Sequence, residues 1–143
     1  MADKKVPARL IFEDGTTFEG WMCGADKKSS GVADINTEVV GYQEIITNPL
    51  NKDKILVMTM PQIGNYGVNS QDVSSPDVVI AGLVVREMCY EPSNWRSERS
   101  LPELLKASGV AALDGVDTRA VTLYLRDNPG AAGRIELQDV EVN

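Results

Sequence analysis

Histidine is absent from all 143 residues, and this absence excludes more chemistry than any motif supplies. Without imidazole there can be no Ser-His-Asp or Cys-His nucleophilic site within the chain. Zinc sites that rely on histidine ligands are excluded equally. The cysteines, Cys23 and Cys89, each follow a methionine in an apolar segment and form no CxxC pair. They read as small core residues. No cofactor and no metal is expected.

Four short segments remain as places to look. Gly41-Tyr42-Gln43-Glu44 reads as a glycine-initiated short helix whose Tyr42, Ile45 and Ile46 bury against a sheet. Ile63-Gly-Asn-Tyr-Gly67 is either a structural loop, its glycines taking backbone angles costly for other residues, or a surface packing on a partner domain. In the second case Asn65 and Tyr66 are the contact candidates, with the tyrosine as aromatic anchor. Its spacing is not that of a phosphate-binding P-loop. Ser93-Asn94-Trp95-Arg96 is an exposed recognition patch, with Trp95 beside Arg96 and Arg99, or a loop pinned to the core by one indole. In Asp117-Thr118-Arg119, Asp117 is expected to cap a helix start, worth roughly 1 kcal/mol. Arg119 either forms an ion pair within the domain or reaches a partner. The acidic pairs Glu13/Asp14 and Glu136/Asp139 lie in turns or near the end and are read as having no basic or metal-binding companion, hence as solvated charge.

These segments must be positioned by a mixture of strands and helices. Arg9–Phe12 and Thr17–Cys23 read as strands joined by a hairpin, because Asp14-Gly15 is a tight-turn dipeptide. Val32–Asn36 alternates as a half-buried strand does. A short helix over Tyr42–Thr47 should stop at Asn48-Pro49, since a residue before proline avoids the helical region. The apolar runs Lys54–Met60 and Val78–Val85 look like central strands buried on both faces. Between them, Gln62–Pro76 is too polar for core. Ser100-Leu-Pro-Glu103 has capping-box spacing, and Gly109 stands where a helix end wants a left-handed residue. The Asp117-capped helix places Ala120, Val121, Tyr124 and Leu125 on one face. Asn128-Pro-Gly130 should end it, and Arg134–Leu137 can return as a last strand.

Composition narrows the function classes. A chain of this length is one domain by size. The net charge of −7 disfavours a nucleic-acid partner. No apolar run approaches a membrane span, and the polar start lacks the core of a secretory signal. A cytoplasmic location is expected, where two lone thiols stay reduced.

Three blocks recur in a telling order: Gly41-Tyr-Gln-Glu-Ile-Ile-Thr-Asn-Pro49, Pro61-Gln-Ile-Gly-Asn-Tyr-Gly-Val-Asn69 and Gly115-Val-Asp-Thr-Arg-Ala-Val-Thr122. With Glu13-Asp-Gly-Thr16 and Val84-Val-Arg-Glu87 they resemble the N-terminal domain of the small subunit of glutamine-dependent carbamoyl-phosphate synthetase. The resemblance runs from about Ala8 to about Ile135. It implies an α/β fold: one compact β/β/α domain over 8–137, with a mixed sheet flanked by helices, between a flexible 1–7 and a tail at 138–143. It also implies a non-catalytic scaffold that holds a glutaminase domain against the synthetase large subunit, in carbamoyl-phosphate synthesis for pyrimidines and arginine. Gly41, Tyr42, Gln43 and Glu44 would then lie near the join between the subunit's two domains. The contact candidates are these four with Asn65, Tyr66, Trp95, Arg96 and Arg119. No catalysis is expected from this chain alone.

The chain departs from the family at one edge. Where the pattern reads Thr-Asp-Pro-Ser-Tyr, this sequence reads Thr47-Asn48-Pro49-Leu50-Asn51, and Val40 replaces the usual threonine. The family serine contacts glutamine, whereas Leu50 has no hydrogen-bonding atom, so no glutamine contact is carried over. These departures favour a free-standing paralogue over an excised fragment. The alternative reading is a small-molecule-binding or regulatory module unconnected with the synthetase. Apolar surface facing an absent second domain would be covered by self-association or replaced by polar groups.

Overall fold

The Asp14-Gly15 turn sets the first pairing. Gly15 sits at φ +92°, a left-handed conformation that a glycine adopts without strain, and its amide donates to the Phe12 carbonyl at 2.9 Å. Strands β1 (Val6–Phe12) and β2 (Thr17–Met22) then run antiparallel, with Leu10 opposite Phe18. The computed structural model describes residues 6–37, 42–59, 78–88 and 101–138, with only the backbone at 42–44.

Beyond the hairpin come β3 (Ser29–Asn36), α1 (Tyr42–Thr47), a single 3-10 turn (Pro49–Asn51), β4 (Ile55–Met58) and β5 (Gly82–Val84). Helix α2 (Leu101–Ala107), β6 (Ala111–Asp114), α3 (Thr118–Asp127) and β7 (Ala132–Leu137) follow. The fold is α/β, a mixed sheet of seven strands with helices against it. The sheet closes on itself in the order β1-β2-β6-β5-β4-β3-β7. Strands β3, β4, β5 and β6 run parallel to their neighbours in that series. Antiparallel ladders β2–β6, β3–β7 and β1–β7 complete the ring.

Closure explains why the two apolar runs carry no polar alternation. On β4, Ile55 and Val57 join a cluster fed by all seven strands, while Leu56 and Met58 join a second cluster with Ile45 and Ile46 of α1 and Leu101 and Leu105 of α2. The first cluster is the barrel interior, and the second lies under the two short helices. A strand covered on both faces must be apolar throughout, as parallel strands in α/β folds are. The second run makes a shorter strand than expected. At its start, Val79 donates to the Ile46 carbonyl and Ala81 to that of Lys54, so residues 78–81 tie α1 to β4 instead of extending β5.

The helix ends follow the sequence signals. At α2, Gly109 takes φ +70°; its amide donates to Lys106 and that of Val110 to Leu105. This is the paired 5→2 and 6→1 pattern of a left-handed helix stop, with Val110 and Leu105 in one apolar cluster. Ser100, its expected N-cap, lies outside the described residues. Asp117 caps α3 by accepting from the Ala120 amide at 3.1 Å, and Val121 and Leu125 face the barrel interior. Cys23 is buried as expected, and Cys89 lies outside the described residues.

Two carboxylates correct the reading of acidic pairs as solvated charge. Glu136 stands opposite Arg9 across β1 and β7 and binds Arg9 Nη2 at 3.3 Å and Arg134 Nε at 3.0 Å. Asp14 accepts from the Thr16 amide and from the Tyr124 hydroxyl, both at 2.9 Å. The Arg134 hydrogen bond, supported by Arg9, holds the Glu136 carboxyl below its ordinary value. The Thr16 backbone bond, then the Thr16 and Tyr124 side chains, do the same for Asp14. Groups whose folded values are lowered favour the fold when ionised. Their contribution is complete above the ordinary values of 4.5 and 3.8 and is lost as pH falls through the lowered ones. Thermal unfolding followed by circular dichroism should therefore show Tm falling below about pH 4.5, with a shallower acid limb in D14N/E136Q. Parallel acid limbs in the two proteins would contradict this assignment.

Candidate functional site

Two regions bear on function, and the first is the α1 edge. Ile45 and Ile46 anchor α1, with Ile46 fully buried, as the short-helix reading expects. The side chains of Tyr42, Gln43 and Glu44 lie outside the described residues, as do Gly41 and Val40. After the helix, Asn48 adopts an extended conformation and its Oδ1 accepts from the Leu50 amide at 3.0 Å. Asn51 donates through Nδ2 to the Ile45 carbonyl at 2.9 Å. Asn51 thus gives the Ile45 carbonyl a closer donor than the Asn48 amide, which reaches it at 3.4 Å past the end of the helix. The same geometry turns Leu50 outward, 82% exposed. The edge presents an aliphatic side chain to solvent, held by two asparagines that each do structural work.

The second region is a cavity of about 450 Å³ that the sequence did not reveal. It opens where the parallel strands end. Thr37 follows β3, Thr59 follows β4 and Arg86 follows β5, all lining it. Helix α3 supplies the opposite wall through Thr118, Arg119, Thr122 and Arg126. Spacings of three and four put residues 119, 122 and 126 on one helix face. Arg86 is placed by its carbonyl, which accepts from the Gly115 amide at 3.1 Å, and by Val116 donating to Val85 at 3.3 Å. These bonds set the β5 end beside the start of α3. Ligand sites in open α/β sheets favour the carboxyl ends of parallel strands, and this closed sheet offers the same location.

Of the contact candidates, Arg119 is the one whose side chain is described. It is exposed on α3 and lines this cavity, and among the described residues its guanidinium has no ion pair. Asn65, Tyr66, Trp95 and Arg96 lie outside the described residues. Sequence reasoning missed Arg86, Arg126 and the threonines. The i, i+7 spacing of Arg119 and Arg126 was the available signal, but only the fold brings Arg86 to that face.

The family model described as "Carbamoyl-phosphate synthase small chain, CPSase domain" matches residues 10–135. The chain belongs to the carbamoyl-phosphate synthase small-chain family. Its relatives include a carbamoyl phosphate synthase small chain of Maridesulfovibrio salexigens, 45% identical over 94% of this chain and 36% of the relative. One from Archaeoglobus fulgidus is 46% identical over 94% of this chain and 37% of its own length. A "pyrimidine-specific small chain" of Halalkalibacterium halodurans is 44% identical over the same share of this chain. The chain therefore spans roughly a third of the length of these relatives. The small-chain family match covers both the α1 edge and the arginine-lined cavity. Among the described residues, no helix is long and apolar enough to cross a membrane.

Proposed function

We propose that this chain is a non-catalytic docking domain of glutamine-dependent carbamoyl-phosphate synthesis, holding a glutaminase against the synthetase large subunit. The observation that carries this reading is the small-chain match over residues 10–135, in a sequence without a single histidine. A family domain that cannot assemble a Cys-His pair contributes by position, not by bond cleavage. The fold agrees with such a role, because a closed barrel whose strands β4 and β5 are buried on both faces is a rigid platform. Candidate contacts are Gly41, Tyr42, Gln43, Glu44, Asn65, Tyr66, Trp95, Arg96 and Arg119. The product would feed pyrimidine and arginine synthesis in the cytoplasm.

The test is a pull-down of the 143-residue chain from extract of its own organism, with mass-spectrometric identification. Recovery of a synthetase large subunit or a glutaminase domain is expected. Recovery of neither, from extract where both are abundant, would end the docking role. A second reading, a regulatory or small-molecule-binding module unconnected with the synthetase, is favoured by Leu50. An aliphatic group 82% exposed stands where the family places a serine, and it cannot hydrogen-bond glutamine.

A further inference from the structure

We infer that the cavity between the parallel-strand ends and α3 binds a phosphate group, free or carried on a small ester. Three of the chain's seven arginines line this one cavity, in a protein of net charge −7. No carboxylate lines it among the described residues. Clustered guanidinium groups repel one another, and among the described residues none of Arg86, Arg119 or Arg126 has an ion-pair partner to relieve that repulsion. An anion would supply the relief.

The hydroxyls argue for an acceptor-rich ligand too. Thr59 and Thr122 already donate to the Asn36 and Thr118 carbonyls. Thr118 is different: it is only 3% exposed and lines the cavity, and among the described residues its hydroxyl has no hydrogen-bond partner. The oxygen is not sealed in the core, since Arg9 Nε is the buried side-chain polar atom without a partner among the described residues; it stands open to the cavity as a donor that a phosphate oxygen can accept from. The planar fork of arginine matches phosphate in bidentate fashion. A dianion balances three cations better than a single carboxylate does. The volume, about 450 Å³, falls within the range of small-ligand sites and exceeds what bare phosphate fills, leaving room for an ester group. The inference does not depend on the docking role, since the cavity belongs to the domain itself.

The experiment is calorimetric titration of the full chain with inorganic phosphate and with ribose 5-phosphate, at fixed ionic strength maintained with chloride. Saturable binding is expected, weakened about tenfold or more in R86Q/R119Q/R126Q and unchanged in K106Q, which alters an exposed cation elsewhere. Tighter binding of the sugar phosphate would identify an ester ligand, and equal binding free phosphate. Heats no greater than those of chloride dilution, or unchanged affinity in the triple variant, would overturn the inference. Circular dichroism confirms that the triple variant is folded. If it is not, R119Q and R126Q are each measured singly, and each should weaken binding.

Discussion

Phe12→Ala should destabilise the protein by about 3–5 kcal/mol, the range for removing a buried aromatic ring. Phe12 is 1% exposed at the end of β1, where it joins three parts of the fold. Its ring meets Phe18 of β2 edge-on at 6.0 Å and lies against Tyr124 of α3 at 4.4 Å. Tyr124 in turn donates to Asp14 in the β1–β2 turn, so the ring and the turn hold α3 from two sides. At about 4 °C per kcal/mol, Tm should fall by roughly 12–20 °C. Because α3 forms one wall of the arginine cavity, phosphate affinity should fall in the same variant while it remains folded. Thermal unfolding of Phe12→Ala and Phe12→Leu tests this, the leucine variant losing clearly less. A loss under about 1 kcal/mol for alanine would mean that the ring does not hold the barrel and α3 together.

Gly24→Ala should cost at least about 2 kcal/mol, as an overpacked core position does. A Cβ at Gly24 would stand 2.3 Å from the Val110 carbonyl oxygen and 2.9 Å from the Ala112 amide nitrogen. Both obstacles are backbone, and neither can rotate aside. The crowding has a structural origin: the Cys23 amide donates to Ala112 and the Ala25 amide to Val110, extending the β2–β6 contact that helps close the sheet. Adding a methyl there would pry that ladder apart. Gly15→Ala makes the comparison, because its Cβ would meet nothing within 4 Å and bears only the strain of its φ, about 1–2 kcal/mol. Chemical denaturation of both variants measures the difference. Equal or smaller loss at Gly24 would show that β2 and β6 can separate without consequence.

Local chemistry made the elements legible. The Asp14-Gly15 hairpin, the helix over Tyr42–Thr47, the left-handed Gly109 and the Asp117 cap each depend on residues a few positions apart. Such signals are complete within a short window. The closure of the sheet was not legible, because the β2–β6 and β3–β7 ladders join segments about a hundred residues apart, and nothing in either strand names its partner. The same distance hid one partner of each of two carboxylates, Arg9 for Glu136 across 127 positions and Tyr124 for Asp14 across 110, whereas Arg134 and Thr16 each stood two residues away.

The candidate site was legible only in outline. Arg119 stood out through its motif, yet the cavity it lines draws on the ends of three strands and one helix. At the α1 edge, Leu50 was recognisable as a change of chemistry, whereas the use of Asn51 as a cap for the Ile45 carbonyl depended on the turn between them.

The docking role is tested most directly by reconstitution. Carbamoyl phosphate formation by the organism's synthetase large subunit would be measured with glutamine or with ammonia as nitrogen donor. A separate glutaminase domain would be present, with or without this chain. A docking domain predicts that adding the chain raises the glutamine-dependent rate and leaves the ammonia-dependent rate unchanged. A glutamine-dependent rate indifferent to the chain, with all components folded and in excess, would contradict it.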